Sequence, residues 1–204
     1  AARSDLSPTS RAQLSRQGHG KAAKSKRIVT PLDCELLRLS SSVHYDFGRS
    51  ELAERDLLRA RVHTETAFGT TPILGDVLVE LARLRLNQGK LKLSEKLCRE
   101  ALHCFRTLIQ DNDPRVGMAK VELGNVLSAT AKYVPARRHC LEGLRVLLQA
   151  CGATHSKVGR ARLVLGELYI NVREDSAAVD ELRQCVQILE KCHGLNHVYV
   201  CRAE

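Results

Sequence analysis

Aromatic residues are scarce in this chain of 204 residues, since they make up 3% of it and tryptophan is missing altogether. Few aromatic rings count against sequence-specific binding of single-stranded nucleic acid, which relies on stacking of bases on such rings. Hydrophobic residues nevertheless amount to 44%, many of them leucine, valine and alanine. Side chains of this size suit thin layers of helices packed on helices.

The sequence also lacks the motifs of common enzyme classes. It contains no G-x-x-x-x-G-K-[ST] loop, no G-x-G-x-x-G turn, no H-E-x-x-H and no G-x-S-x-G. Strand-like alternation of apolar and polar residues is missing too, and no stretch approaches the ~20 apolar residues that cross a bilayer. We therefore expect no catalytic residues, no cofactor and no membrane span.

A period of about 42 residues runs through most of the chain. Segments that begin at Thr71, Asp113, His155 and His197 follow one another at intervals of 42 residues, and Thr30 precedes Thr71 by 41. A spacing held this closely indicates stacked supersecondary units rather than one globular core. The predicted units are 30–70, 71–112, 113–154 and 155–196, with the start of a fifth at 197–204.

Each unit is predicted to contain two helices. Apolar residues from Val77 to Leu86 recur every three or four positions, and a turn with glycine separates them from a second such stripe. Threonine or aspartate followed by proline opens the first three units, at Thr30, Thr71 and Asp113. A side-chain oxygen at the N-cap and proline at the first helical position are typical of helix starts.

Small residues recur at fixed positions of the period, beside large aliphatic ones. The three small columns are Ala82, Gly124 and Gly166; Ser94, Ala136 and Ala178; and Ala101, Gly143 and Cys185. Residues with little side chain let two helices approach closely, so this pattern indicates packed helical hairpins. In the first unit the nearest counterparts are Phe47, Gly48, Ala53, Leu57 and Ala60.

The eight cysteines form no C-x-x-C pair and have no zinc-finger spacing, so no metal site is predicted. Cys98 and Cys140 share one column of the period with Leu182, and Cys185 shares another with alanine and glycine. Cysteine in such columns is interpreted as a small core residue. Free core thiols suit a reducing, intracellular compartment. The loop histidines, His155 and His197, are predicted to cap or pack.

These residues resemble a known family. A leucine and then a small residue in the first helix, with small residues twelve and nineteen positions later, is similar to the tetratricopeptide repeat. The 42-residue period and the Gly, His and Val of the loops at 152–158 and 194–200 resemble the kinesin-light-chain type, without the proline of its loop. The resemblance covers residues 30–204. It implies an all-α, right-handed α-solenoid of about four helix-turn-helix hairpins.

The resemblance further implies that the first helix of each unit lines a concave face. We expect an extended segment or a helix of a partner protein to lie there, between an apolar row (Val79, Val121 and Leu163) and a ladder of polar side chains. The alternative is a solvated face that binds nothing. The residues predicted to line this groove are Asp76, Val79, Arg83, Asn87, Met118, Val121, Asn125, Ala129, Arg160, Leu163, Glu167 and Asn171. A second candidate surface is the basic helix face with Arg137, Arg138, His139 and Arg145.

Most of the formal net charge of +9 lies at the N terminus, because residues 1–27 hold seven cationic residues and one acidic residue, a net +6. The cationic residues are Arg3, Arg11, Arg16, Lys21, Lys24, Lys26 and Arg27. With Leu6 and Leu14 as the only large aliphatic residues before Ile28, residues 1–29 are predicted to form an extended or disordered tail. Three interpretations stay open: a linker threaded over an acidic partner, a segment that binds nucleic acid or an acidic polymer such as a tubulin surface, or a remnant of organellar targeting.

Together these features predict a non-catalytic scaffold for protein–protein interactions within a larger intracellular assembly. We expect a cytoplasmic assembly, of cytoskeletal or ciliary type. The alternative is an organellar, mitochondrial or ribonucleoprotein assembly factor whose basic tail contacts nucleic acid. The apolar residues Tyr199, Val200 and Cys201 begin an incomplete fifth hairpin, so we expect either a partner or further chain to cover them.

Overall fold

The computed structural model describes residues 29–194, which form eight α-helices paired into four hairpins and contain no strand. The helices are α1 (Pro31–Asp46), α2 (Ser50–Ala67), α3 (Pro72–Asn87), α4 (Leu91–Leu108), α5 (Pro114–Ala129), α6 (Tyr133–Cys151), α7 (Ser156–Asn171) and α8 (Asp175–His193). The predicted all-α solenoid is confirmed. The predictions for the basic tail, His197 and the fifth unit lie outside the described residues.

The first helix of each hairpin begins at a side-chain cap. Thr30, Thr71 and Asp113 accept hydrogen bonds from backbone N–H groups of the first turn, at 3.2, 3.3 and 2.8 Å. In the fourth hairpin, which lacks the proline, Nδ1 of His155 accepts one from the N–H of Lys157 at 3.1 Å. These N–H groups have no acceptor within the helix, so each cap stabilises the helix start. The predicted capping role of His155 is confirmed.

The turn inside each hairpin contains one residue with a positive φ. These residues are Gly48 at 72°, Gly89 at 71°, Ala131 at 58° and Arg173 at 62°. Glycine adopts this left-handed conformation without the steric cost that a Cβ atom adds. Ala131 and Arg173 adopt this conformation in the third and fourth turns despite their Cβ atoms. The packing of the helices around the turn therefore determines its backbone conformation.

The assignment of Phe47 and Gly48 to the packing columns of the first unit is wrong. Gly48 lies in the turn, at the position that Gly89 occupies one period later, and the adjacent Phe47 ring is 75% exposed. Ser41, which precedes Ala82 by 41 residues, is the buried counterpart in α1. The other three predicted counterparts, Ala53, Leu57 and Ala60, are buried.

Small residues bring the two helices of a hairpin into close contact. A Cβ atom built on Gly143 of α6 would lie 2.6 Å from the carbonyl oxygen of Gly117 and 2.7 Å from Cγ2 of Val121, both on α5. In the second hairpin Ser94 is fully buried, and its hydroxyl donates a hydrogen bond to the carbonyl oxygen of Ala82 at 2.6 Å. The predicted small columns therefore lie at the helix contacts.

Five of the seven cysteines in the described residues are buried, namely Cys34, Cys98, Cys104, Cys140 and Cys185, and all seven are free thiols. Burial raises the pKa of Cys140 to about 12 and that of Cys185 to about 11. Both side chains are therefore neutral at pH 7 and pack as apolar groups. The interpretation as core residues is confirmed for these five, whereas Cys151 is half-buried and Cys192 is exposed.

The first helices of successive hairpins contact one another, α1 with α3, α3 with α5, and α5 with α7. On the opposite side the second helices α2 and α4 stand apart, with a cleft of about 790 Å³ between them whose floor includes Leu74 and Leu78 of α3. Closer spacing of the first helices places them on the concave side of the stack.

Ion pairs connect the second helix of each hairpin to the following hairpin. Three pairs lie at successive junctions, Glu54 with Arg85 at 2.6 Å, Glu95 with Lys132 at 3.1 Å, and Arg137 with Glu174, and a longer pair joins Arg61 of α2 to Glu100 of α4 at 3.9 Å. Most of these side chains are partly exposed, and exposed ion pairs contribute only about 0–1 kcal/mol each. Their effect is on how neighbouring hairpins are positioned more than on overall stability.

Candidate functional site

A cavity of about 330 Å³ on the concave side is lined by the middle of α3, the N-terminal turns of α5 and α7, and α1. Five residues predicted for the groove line it: Asp76, Val79, Arg83, Met118 and Arg160. The other lining residues are Arg38, Glu80, Arg115 and Lys157. We call this site the basic cavity, because five cationic and two acidic side chains line it.

Ion pairs hold the cations of the basic cavity in place, mostly with carboxylates that do not line it. Arg38 donates to Glu80 at 2.6 Å across the hairpin boundary and also binds Glu35 on its own helix. The hydrogen bond to Glu35, with further help from Glu80, raises the Arg38 pKa above its usual range. Arg115 pairs with Asp113 at 2.9 Å, which raises the Arg115 pKa. The guanidinium groups are therefore oriented by the protein before any ligand binds.

Arg160 reaches the basic cavity from α7 and pairs with Glu122 of α5. Glu122 is 1% exposed, and its Oε2 atom is buried without a hydrogen-bond partner. A buried carboxylate requires a counter-charge, because its transfer from water is otherwise very unfavourable. Arg160 thus has two roles, since it neutralises Glu122 and presents a cation to the groove.

Asp76 is the other acidic residue of the basic cavity. Burial raises the pKa of its carboxyl group to about 6, against the opposing effect of Arg38 and Arg115. Near neutral pH part of the population is therefore protonated, which reduces the negative charge inside the cavity.

We expect an Asp76→Asn substitution to stabilise the protein at pH 7 and to have little effect at pH 4. A raised pKa means that the ionised carboxylate is disfavoured in the folded state. The protonated Asp76 side chain makes its full contribution to folding stability below the ordinary pKa of 3.8. This contribution is lost as the pH rises through about 6, the pKa in the folded state. Urea denaturation at both pH values measures the difference. Asp46→Asn, at an exposed position of α1, is the control, and an equal loss of stability at both pH values for Asp76→Asn would contradict the prediction.

Several predicted ladder residues connect neighbouring first helices. The Arg83 guanidinium lies 4.8 Å from the centre of the Tyr45 ring, and Asn87 donates a hydrogen bond to the Tyr45 hydroxyl. Asn171 donates to Ser128 at 3.2 Å. These contacts join α3 to α1 and α7 to α5. Some residues of the predicted polar ladder therefore hold neighbouring hairpins together.

A second, narrow cleft lies further along the concave side. Its lining includes six predicted groove residues: Arg83, Asn87, Asn125, Arg160, Leu163 and Glu167. Its volume of about 20 Å³ holds little more than one water molecule. The prediction that all these residues contact a partner stays a prediction, and the basic cavity, unlike this cleft, has room for a side chain.

The predicted row of exposed apolar residues is wrong at two of its three positions. Val121 is fully buried and Leu163 is 2% exposed, whereas Val79 is half-buried and lines the basic cavity. Val121 lies under the small residue Gly143, and Leu163 packs against Cys185 at the same position of the period. The close approach of the second helix therefore covers these side chains from their own hairpin.

The sequence prediction missed Arg38, Glu80, Arg115 and Lys157 of the basic cavity, and also Tyr45 of the narrow cleft. A signal for two of them is present, because Arg115 and Lys157 are 42 residues apart and each is the second residue of a first helix. Arg38 and Glu80 are also 42 residues apart. Tyr45 has no comparable signal, since its role depends on the contact between α1 and α3.

The alternative basic surface on α6 is partly neutralised. Arg137 pairs with Glu174 and lies 5.1 Å from the centre of the Tyr169 ring. Burial lowers the pKa of His139, which favours its neutral form. This face therefore offers less free positive charge than its sequence indicates.

Residues 29–194 offer neither a metal site nor a membrane span. No cluster of three or more His, Cys, Asp and Glu side chains within that range could hold a metal ion. The helices of the same range lack the combination of length and apolar content that crossing a bilayer requires.

Four stacked helical hairpins, with small residues at the helix contacts and first helices along a concave face, define a tetratricopeptide-type repeat solenoid. Solved structures support this class. BtubC (BKLC) from P. vanneervenii superposes with a TM-score of 0.62 at 18% identity, and the match covers 78% of this chain. The chain spans 63% of the length of BtubC.

A protein of Podosopora anserina described as a kinesin light chain, with nearly identical TPR-like repeats, superposes with a TM-score of 0.62 at 15% identity. That match covers 85% of this chain and 83% of the other. A variant of the same protein gives a TM-score of 0.61 at 15% identity, over 86% and 84% of the two chains. No protein-family profile and no curated protein sequence matches the chain. The similarity is therefore one of fold.

Proposed function

We propose that this protein is a non-catalytic interaction scaffold that binds an extended, acidic segment of a partner protein in the concave groove. The observation that carries this proposal is the basic cavity, where five cationic side chains face two acidic ones in a volume of about 330 Å³. Such a cavity accommodates a few side chains of an extended segment but not a folded domain.

Two further features favour an acidic segment. The carboxylates that neutralise Arg115 and Arg160 belong to Asp113 and Glu122, which lie outside the lining of the basic cavity. The neutralising carboxylates of Asp113 and Glu122 therefore do not occupy the cavity, and guanidinium groups bind carboxylates with paired N–H donors. Val79 and Met118 supply an apolar wall for a neighbouring side chain of the partner.

The probe that tests this proposal is a fluorescently labelled peptide of alternating glutamate and leucine, with a lysine–leucine peptide as its opposite. We expect the acidic peptide to bind and Lys157→Glu to weaken it by at least about tenfold, because a like charge in the binding site costs more than about 1.4 kcal/mol. The matched control is Lys96→Glu on α4, where the lysine is 72% exposed and distant from the groove. Equal weakening by both variants, or no binding of either peptide, would refute the groove as the site.

We further propose that the scaffold works inside a cytoskeletal or ciliary assembly in the cytoplasm. Support comes from the repeat type, since the Podosopora anserina protein of the same fold is described as a kinesin light chain. The net charge of +6 on residues 1–27 favours a second candidate, an organellar or ribonucleoprotein assembly factor whose tail binds nucleic acid. Salt titrations of tubulin and RNA binding, with and without residues 1–27, separate the two, because binding through the tail gives a steep salt dependence that is lost on truncation.

A further inference from the structure

Helix α1 has an exposed apolar stripe on the side that faces away from the rest of the stack. Leu32, Leu36, Leu39, Val43 and Phe47 are between 48% and 75% exposed. Their spacing of three or four residues places them along one side of the helix. We call these five residues the outer stripe.

The opposite side of α1 carries the packing of the first hairpin. Cys34 and Ser41 are buried there, and Arg38 reaches from this side to Glu80 of α3. In residues 29–194 no hairpin precedes α1, whereas the corresponding helices α3, α5 and α7 each have a hairpin in front of them. An apolar side of this kind on the first described helix remains in contact with water unless another surface covers it. The outer stripe therefore indicates a partner.

We propose that the outer stripe of one molecule packs against the outer stripe of a second copy, in an antiparallel arrangement related by a two-fold axis. The positions are nearly symmetric about Leu39. In such a pair Leu32 faces Phe47 of the other copy, Leu36 faces Val43, and Leu39 lies beside its own counterpart. A two-fold interface of this kind requires a self-complementary surface, and this spacing provides one.

The exposed area agrees with a dimer. Five side chains that are each about half exposed or more amount to several hundred Å² per copy, so the pair removes on the order of 1,000 Å² from water, near the lower limit for specific interfaces. A cavity of about 450 Å³ at the edge of the stripe, lined in part by Leu36, Leu37 and His63, gives room for side chains of the second copy. The stripe itself carries no charge, so pairing two copies brings no like charges together within it.

The N-terminal segment of the same chain is a poorer occupant. Residues 1–28 contain three large aliphatic side chains, Leu6, Leu14 and Ile28, against five in the outer stripe. Their separations of eight and fourteen residues do not match the three- and four-residue spacing of α1. A second copy supplies a stripe with the same spacing and the same number of apolar side chains.

The first test is the molar mass of the full chain by light scattering after gel filtration. We expect a dimer at loading concentrations of a few hundred micromolar that dissociates on dilution, because an interface of about 1,000 Å² belongs to the smaller and weaker class. The double variant Leu36→Glu/Val43→Glu should elute as a folded monomer, with its helicity checked by circular dichroism. The matched control Val134→Glu/Val179→Glu replaces two valines that are 84% and 51% exposed on α6 and α8, and it should remain dimeric. A monomeric wild type, or dissociation in the control, overturns the proposal.

The second test is specific to the symmetry. Introducing Leu39→Cys into a chain that lacks Cys151, Cys192 and Cys201 should give rapid disulfide dimers on oxidation, because position 39 lies beside its counterpart. Leu32→Cys in the same background should cross-link much more slowly, since the two copies of position 32 would be about 20 Å apart at 1.5 Å rise per residue. Equal rates would overturn the antiparallel arrangement even if the protein is a dimer.

Discussion

An Arg160→Ala variant is expected to lose about 3 kcal/mol of unfolding free energy, because one partner of a buried ion pair is removed. Glu122 would remain in the core, 1% exposed, and its second oxygen already has no hydrogen-bond partner. The carboxylate would then be buried without a counter-charge, which is very unfavourable. Urea denaturation at pH 7, followed by circular dichroism, measures the loss.

A double-mutant cycle shows whether this loss comes from the orphaned carboxylate. Glu122→Leu combined with Arg160→Ala should recover most of the stability, because an apolar replacement of a buried ion pair is often neutral or stabilising. Arg137→Ala is the control, since Arg137 and its partner Glu174 are 39% and 46% exposed and such pairs contribute at most about 1 kcal/mol. A double variant as unstable as Arg160→Ala would mean that Arg160 acts through packing instead of charge.

A Gly143→Ala variant is expected to destabilise the protein by about 2 kcal/mol, within the usual range for overpacking. Helix propensity alone favours alanine over glycine by about 1 kcal/mol, so the sign of the effect is a direct test of the packing. The new methyl group would lie 2.6 Å from the carbonyl oxygen of Gly117. Since a backbone atom cannot rotate away, α5 and α6 would have to separate. Thermal and urea unfolding measure the change.

The control for this prediction lies in the same helix pair. A Cβ atom on Gly117 would meet Cγ of Leu147 at 3.0 Å and the carbonyl oxygen of Gly143 at 3.1 Å, so its neighbours need to shift less than at Gly143, where the backbone contact is 2.6 Å. Gly117→Ala should therefore cost much less than Gly143→Ala. If Gly143→Ala were the more stable of the two, the close approach of α5 and α6 would not be a structural requirement.

The period, the hairpins and the helix starts were readable from the sequence because their signals are local. An N-cap oxygen and a proline specify a helix start within two residues, and Thr30, Thr71 and Asp113 all cap as predicted. The first unit was harder to align. Gly48 has two possible roles in a sequence, as a packing residue or as a turn residue, and only its positive φ decides between them.

The candidate site was only partly predictable, because it depends on contacts between hairpins. Position 121 looks exposed when one helix is considered alone, but the second helix approaches closely at Gly143 and covers it. Likewise the charge around Arg160 depends on Glu122, which lies 38 residues away in the chain. The repeat pattern shows which residues occupy equivalent positions in successive hairpins. It does not show which of these positions a neighbouring helix covers.

The ion pairs between hairpins also distinguish the last junction of the stack from the first two. Glu54, Glu95 and Arg137 are one period apart, and so are Lys132 and Glu174, yet the polarity reverses at the last junction. If the second hairpin stacked directly on the fourth, Glu95 would meet Glu174, and like charges disfavour a wrong neighbour. An array of identical repeats can slip by one unit or add units without penalty. In this chain the reversed polarity marks the last junction, so the fourth hairpin is disfavoured as a direct neighbour of the second.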